Sequence, residues 1–540
     1  MFEQRMSSTA ARRFLPILIV WATVVGTSLL LAQSPPQETA TPIQHLVIIF
    51  QENVSFDHYF GTYPKALNPA SEPAFYAQPG TPTVNGLTGA LLTNNPNFLN
   101  SANGAGASNP FRLDRTQAAT ADQRHGYTQE QLAFDHGLMD LFPASVGKAG
   151  PPPNPPPSTV TTTGLVMGYY DGNTVTALWN YAQRFAMSDN SYSTVFGPST
   201  PGLLNLVSGQ TNGVSQILNR TGAETDGGNG TLTMIGDVDP IGDICSAAGN
   251  QVQMGSRNIG DLLNAAGVTW GSFMGGFDLT VTNANGTTGC GRSSVSAYTG
   301  TVKDYIPHHA FFQYYASTAN PSHTRPNSIA EIGQAGPANH QYDLNDFFAA
   351  VTTGNFPAVS FIKAPAYQDG HAGYSDPLDE QAFLVNTLNF LQNSSEWETT
   401  AVVILYDDSD GWYDHKMGPI VNQSTSPADA LTAPGACGDG STALPGIDSS
   451  NPHAQGRCGY GPRQPLLVIS PWAKRNFVDH TPTDQTSVLR FIEDNWLGGE
   501  RIGQGSFDSL ANSITQMFDL SAPKNSGRLF LDPVSGEPEQ

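Results

Sequence analysis

Four short apolar runs constrain this chain more than any other feature: His45 to Phe50 (HLVIIF), Ala358 to Ile362 (AVSFI), Thr400 to Tyr406 (TAVVILY) and Leu466 to Ser470 (LLVIS). Runs of β-branched residues with no polar alternation suit strands covered on both faces, the environment of a parallel sheet in an α/β protein. Between the middle two runs, Phe383, Leu384, Thr387, Leu388 and Leu391 recur at helical spacing. That strand, helix, strand order predicts a right-handed crossover in a parallel sheet. Thr486 to Trp496 predicts a second helix, with Val488, Leu489, Ile492 and Trp496 on one face.

In an open α/β sheet, ligands collect beyond the carboxyl ends of the strands. HLVIIF runs into Gln51-Glu52-Asn53, and TAVVILY into Asp407-Asp408-Ser409-Asp410. Carboxylates brought to one edge repel unless a proton or cation is shared, and a divalent cation with oxygen ligands resolves that repulsion. Glu52, Asn53, Asp407 and Asp408 are therefore candidate metal ligands. Ca²⁺, Mg²⁺ and Mn²⁺ all accept such a set. Adjacent Asp side chains on an extended strand point to opposite faces, so Asp407 and Asp408 reach one ion only if the chain turns there.

A candidate nucleophile, Ser199, lies in Phe196-Gly197-Pro198-Ser199-Thr200-Pro201-Gly202, which is not a G-x-S-x-G elbow. Coordination to the same metal would activate its hydroxyl. His308 and His309 follow Pro307, and His125 and His371 sit in polar, Gly-containing stretches. Imidazolium groups near an acidic metal cluster suit phosphoryl chemistry, neutralising the transferred group and protonating the leaving oxygen. No Walker A motif or G-x-G-x-x-G occurs, which disfavours nucleotide-driven transfer.

The chain carries 24 Lys and Arg against 46 Asp and Glu, a net charge of −22. A deficit of basic residues excludes generic nucleic-acid backbone binding. Residues 1–32 predict an export signal: Arg5, Arg12 and Arg13 precede an uncharged run from Phe14 to Ala32. An uncleaved anchor is the alternative, because that run approaches the ~20 residues that span a bilayer. Cleavage would take the net charge to −24, leave no integral membrane span and place the protein outside the cytoplasm, secreted or periplasmic. Arg12-Arg13-Phe14-Leu15 resembles a twin-arginine signal without its spacer, so the export route stays open. Four cysteines in an exported chain predict disulfides, and sequence neighbours favour Cys245 with Cys290 and Cys437 with Cys458 among three possible pairings. Residues 33–41 form a polar tether, 42–520 a catalytic domain with insertions near 62–165, 210–300 and 416–460, and 521–540 a C-terminal tail. Pro151 to Pro157 predicts a stiff polyproline segment.

Taken in order, HLVIIFQENVSFDHYFG (45–61), FGPSTPG (196–202), PHH (307–309), the loop around His371, YDDSDGWYDH (406–415) and YGPRQPLLVISPWAK (460–474) resemble the bacterial phosphoesterase family. That family includes haemolytic and nonhaemolytic phospholipases C and respiratory-burst-inhibiting acid phosphatases. The resemblance, from about His45 to Leu497, implies a three-layer α/β/α alkaline-phosphatase-like fold with a central, mostly parallel sheet. It implies Glu52, Asn53, Ser199, Asp407 and Asp408 as metal ligands, Ser199 as nucleophile, and His125, His308, His309 and His371 around the phosphoryl group. Ser199, Gly202, Val54, Asp408 and Asp410 stand where phospholipases often carry Thr, Asn, Arg, Glu and Gly. These departures lean toward an acid phosphomonoesterase working through a phosphoseryl intermediate. A phospholipase C acting on phospholipid head groups is the alternative, and a non-catalytic exported binding protein a second. Oligomeric state has no signature in the sequence.

Overall fold

The computed structural model describes residues 38–151, 160–219, 222–438, 455–523 and 527–539. The expected export signal, part of the tether and most of the polyproline run lie outside the described residues. From Glu38 onward the chain forms one compact unit.

Its centre is a nine-stranded sheet. The strands are β1 (His45–Gln51), β2 (Ala186–Tyr192), β3 (Trp270–Met274), β4 (Gln341–Asp343), β5 (Val359–Lys363), β6 (Thr400–Tyr406), β7 (Arg463–Ile469), β8 (Phe477–Asp479) and β9 (Thr483–Asp484). Their order is β4-β3-β5-β1-β6-β7-β2-β8, with β9 also on β2. Every residue of β2, β5, β6 and β7 is buried, as the unalternating apolar runs require of strands covered on both faces. The helices that bear on the site are α1 (Tyr127–Phe134), α2 (Ser199–Ser208), α3 (Pro377–Asn393) and α4 (Thr486–Trp496). This is an α/β fold.

One detail refines the expected topology and one differs from it. β5 and β6 do not pair with each other; β1 lies between them, with Ile49 beside both Ile362 and Ile404, so the crossover through α3 skips a strand. The LLVIS strand, β7, runs antiparallel to both β6 and β2, which makes the sheet mixed. A fully covered strand buries the same apolar surface in either direction, so hydrophobic pattern cannot report orientation.

Both disulfides form as expected, Cys245 with Cys290 and Cys437 with Cys458. The 210–300 region adds small sheets outside the main one, including a hairpin of Ser293–Ser296 with Gly300–Lys303. The described C-terminal residues lie along α3, where Leu529 N donates to Gln392 Oε1 at 2.7 Å and Leu531 is buried.

Candidate active site

The strand directions converge chemistry on one edge. β1, β5 and β6 are mutually parallel, and β2, reversed twice through β7, points the same way. Their carboxyl ends deliver Glu52 and Asn53, Lys363, Asp407 and Asp408, and the turn that leads into Ser199.

Ser199 is the first residue of the ten-residue helix α2. Its Oγ donates to Glu52 Oε2 at 3.0 Å and lies 3.2 Å from Asp408 Oδ2. The free amides of a helix start favour negative charge on that oxygen. The turn before it depends on Gly197 at φ +118°, and α2 passes so near β6's end that a Cβ at Gly202 would collide with the Asp407 carbonyl oxygen. The chain leaves the sheet at Asp407, which resolves the geometry of the adjacent aspartates. Asp407 Oδ1 accepts from Asn53 N at 3.2 Å and from Asp408 N at 2.8 Å, while Asp408 turns toward Ser199.

Asn53, at φ +55°, holds its side chain within 3.5 Å of His125 Nε2. His125 and His371 have ring centroids 5.8 Å apart, and His309 Nδ1 lies 3.2 Å from Glu52 Oε1 with His308 packed edge-on against it. All nine residues expected from the sequence are thus joined in one chain of contacts. Ser199 and the four metal candidates are wholly buried, whereas His308 is about one-third exposed and marks the approach from solvent.

Asn53 Oδ1 and Asp407 Oδ2 are buried with no hydrogen-bond partner. Burial and the neighbouring Asp407 push the Glu52 carboxyl far above the usual carboxylate range, and burial with Asp407 does the same to Asp408. Crowded, unsaturated, all-oxygen ligands fit a hard divalent ion.

The histidines divide. Burial opposes charge on His125, yet Asp408 and Asp410 raise it well above the ordinary imidazole value; His308 is raised likewise, against burial, by Asp239 and Asp237. Burial and then His308 depress His309, and burial with His125 takes His371 down to about 4. Burial and neighbouring charge thus favour a proton on His125 and His308 and disfavour one on His309 and His371.

Several participants have no motif of their own. Lys363, wholly buried, pairs with Glu52 and helps keep Asp407 below the usual carboxylate range against the effect of burial. Asp369 lies with Glu52 and His309 in a group that could hold a metal, and it accepts from His371 N at 3.0 Å. Asp410 Oδ1 sits 3.0 Å from His125 Nδ1. Lys363 was accessible to the same rule that found Glu52 and Asp407, since it closes an apolar strand.

A buried serine at a helix start, held by carboxylates at the carboxyl edge of an α/β sheet and flanked by histidines, defines a hydrolase of phosphoester bonds. The chain belongs to the phosphoesterase family, whose sequence pattern matches residues 43–497. It is 26% identical to phospholipase C B of Mycobacterium tuberculosis over 504 residues, 91% of this chain and 80% of that one. It is 23% identical to the non-hemolytic phospholipase C of Burkholderia pseudomallei over 504 residues, 90% of this chain and 60% of that one. Among solved structures it is similar to a protein in the alkaline phosphatase superfamily from Vibrio parahaemolyticus, at 12% identity and a TM-score of 0.27, covering 80% of this chain and 79% of that one. No helix among the described residues is long and apolar enough to cross a membrane.

Proposed function

We propose that the protein is an exported, metal-dependent phosphodiesterase of the phospholipase C type, with Ser199 as nucleophile. The observation that carries the reading is the Ser199 hydroxyl held between Glu52 and Asp408. Glu52, Asn53, Ser199, Asp407 and Asp408 would hold the cation, which supplies Lewis-acid charge that acidifies a bound hydroxyl and offsets phosphoryl charge.

Ser199 Oγ gives up its proton toward the adjoining carboxylates and attacks phosphorus. The bond to the leaving alcohol breaks as a bond from Ser199 to phosphorus forms, giving a seryl phosphodiester that keeps the second alcohol. His125 and His308, the two histidines held protonated, neutralise the nonbridging oxygens and protonate the departing alkoxide. Water then cleaves that seryl ester, returning a proton to Ser199. The buried His309 and His371 stand beside Glu52 and His125 respectively, and would help hold those two groups in place.

The leaning toward a phosphomonoesterase gives way here to the diester. A diester carries one ionised oxygen where a monoester dianion carries two, and two imidazoliums are a smaller positive complement than four. The phospholipase C relatives support the same choice. Steady-state kcat/KM on p-nitrophenylphosphorylcholine and on p-nitrophenyl phosphate tests it, with Ser199→Ala as control. The diester should be the better substrate. A higher value on the monoester would return the phosphatase reading, and no turnover of either, with metal bound, would favour a binding protein.

A further inference from the structure

Glu130 lies outside every motif in the sequence and outside the reaction described above, yet it touches both halves of the site. It projects from α1 and is 1% exposed. Its Oε2 accepts from Gly197 N at 2.9 Å, two residues before the nucleophile. Its Oε1 accepts from Ser409 Oγ at 2.8 Å, one residue after Asp408. The Ser409 hydroxyl in turn accepts from Gly411 N at 3.0 Å, so the bond fixes the loop and not merely a side chain. α1 also starts directly after His125, with Gly126 at its cap position.

From these contacts we infer that Glu130 is a positioning residue, bracing the Ser199 turn against the Asp408 loop so that nucleophile and carboxylate stay in reach. The inference rests on the assignment of Ser199 and Asp408 made above. Three considerations support it. The turn at 196–198 has no side-chain cap of its own before α2, and Gly197 is in a conformation only glycine holds cheaply, so an outside acceptor is needed to fix it. The two segments joined follow different strands, β2 and β6, and a small shift between them would break the 3.2 Å approach of Ser199 to Asp408. Among the described residues, no Lys or Arg forms a salt bridge with Glu130, and a buried carboxyl hydrogen-bonded only to an amide and a hydroxyl, with His125 its one nearby positive charge, is costly. A glutamate kept under that cost, on these two partners, answers to their alignment.

The test compares Glu130→Ala with Glu130→Gln in the full chain. Alanine should lower kcat by roughly 10- to 100-fold, the usual loss for a residue supporting a metal-site ligand, with KM little changed. Glutamine can still accept from Gly197 N and can donate to Ser409 Oγ, so kcat should stay within about threefold, the value of one weakened hydrogen bond. Amide exchange at Gly197, read by mass spectrometry of peptides across 194–200, should quicken in the alanine variant alone. Wild-type kcat in Glu130→Ala, or equal losses in both variants, overturns the brace. Should Glu130→Ala not fold, Ser409→Ala cuts one arm only, and an unchanged kcat there overturns it as well. A wild-type protein that turns over neither phosphoester refutes the enzymatic reading instead, while exchange at Gly197 still decides on the brace.

Discussion

The Ser199 hydroxyl donates to Glu52 across 147 positions of sequence, joining the start of α2 to the end of β1 at 3.0 Å. A serine in a Gly/Pro turn is ordinarily a structural residue. One buried against two carboxylates on other elements has a proton to lose and acceptors placed to take it. Ser199→Ala should lower kcat on the order of a thousandfold or more. Its unfolding free energy should move by only about 1 kcal/mol, the worth of a hydrogen bond. In the wild type, quenching at low pH during turnover of p-nitrophenylphosphorylcholine should trap a phosphorylcholine group on the peptide containing Ser199, seen by mass spectrometry. Turnover that survives in the alanine variant would eliminate the covalent route.

Metal removal makes a separate prediction. Without a cation, Glu52, Asp407 and Asp408 face one another with Asn53 Oδ1 and Asp407 Oδ2 unsatisfied. Exhaustive chelation should abolish turnover and lower the melting temperature, and addition of Ca²⁺, Mg²⁺ or Mn²⁺ should restore both. An ion present at a hundred times its dissociation constant stabilises by about 2.7 kcal/mol, a shift that calorimetry resolves. A demonstrably metal-free protein with full activity would contradict the proposed ligand set.

The sequence made the strand-end carboxylates legible because a continuous apolar run fixes where a buried strand stops. It could not say which half of a motif serves the site. QENVSFDHYFG and YDDSDGWYDH each open with site residues, Glu52 with Asn53 and Asp407 with Asp408. Each closes on an Asp-His pair that acts elsewhere: Asp57, Asp414 and His415 gather on Arg463, and His58 stacks on Trp412 at 3.9 Å. Both halves follow an apolar strand and carry acidic side chains, so pattern alone treats them alike, although Asp57 and His58 fall in a short helix, Phe56–Phe60. Glu130 carried less signal still, since single charged residues on a helix are common. The antiparallel direction of β7 was hidden for the same kind of reason, its burial being indifferent to orientation.

Activity should depend on pH through the divided histidines. His125 and His308 are raised, so both stay protonated past the ordinary imidazole value and lose their protons only at higher pH. kcat/KM should hold across neutrality and fall on the alkaline side as the positive field disappears. His371, at about 4, is neutral over that whole range and gains charge only in acid. His308→Gln should lower kcat/KM at pH 6 by about a hundredfold, if His308 protonates the leaving group, and flatten the alkaline fall. His371→Gln should leave that limb in place. An alkaline limb unaltered in His308→Gln would remove that residue from the charge-bearing pair.

Stability should have its own pH window, set away from the reacting atoms. His415 Nδ1 lies 2.6 Å from Asp57 Oδ2, and Arg463 Nη2 reaches Asp57 Oδ1 at 3.0 Å and Asp414 Oδ2 at 3.1 Å, so β7 is clamped to the segments after β1 and β6. Burial opposes charge on His415, but Asp57 raises it above its ordinary 6.5. Its stabilisation is therefore complete below that value and is lost as pH climbs through the raised one. Burial would raise Asp57, but His415 and Arg463 bring it below its ordinary 3.8, so its share is present above that value and lost as pH falls through the lowered one. The His415–Asp57 pair is fully charged between these limits, from about pH 4 to about pH 6.5, while burial raises Asp414 above its ordinary value, so its share of the clamp is lost first on the acid side. His415→Ala should cost about 1.5–3 kcal/mol within the window, the range for a hydrogen bond to a charged group. By the same sign, the difference from wild type should shrink toward alkaline pH, as imidazole deprotonates in the folded protein. Urea unfolding at pH 5.5 and 9 measures it, and a difference that stays the same at both pH values would show that His415 acts there through packing and not through charge.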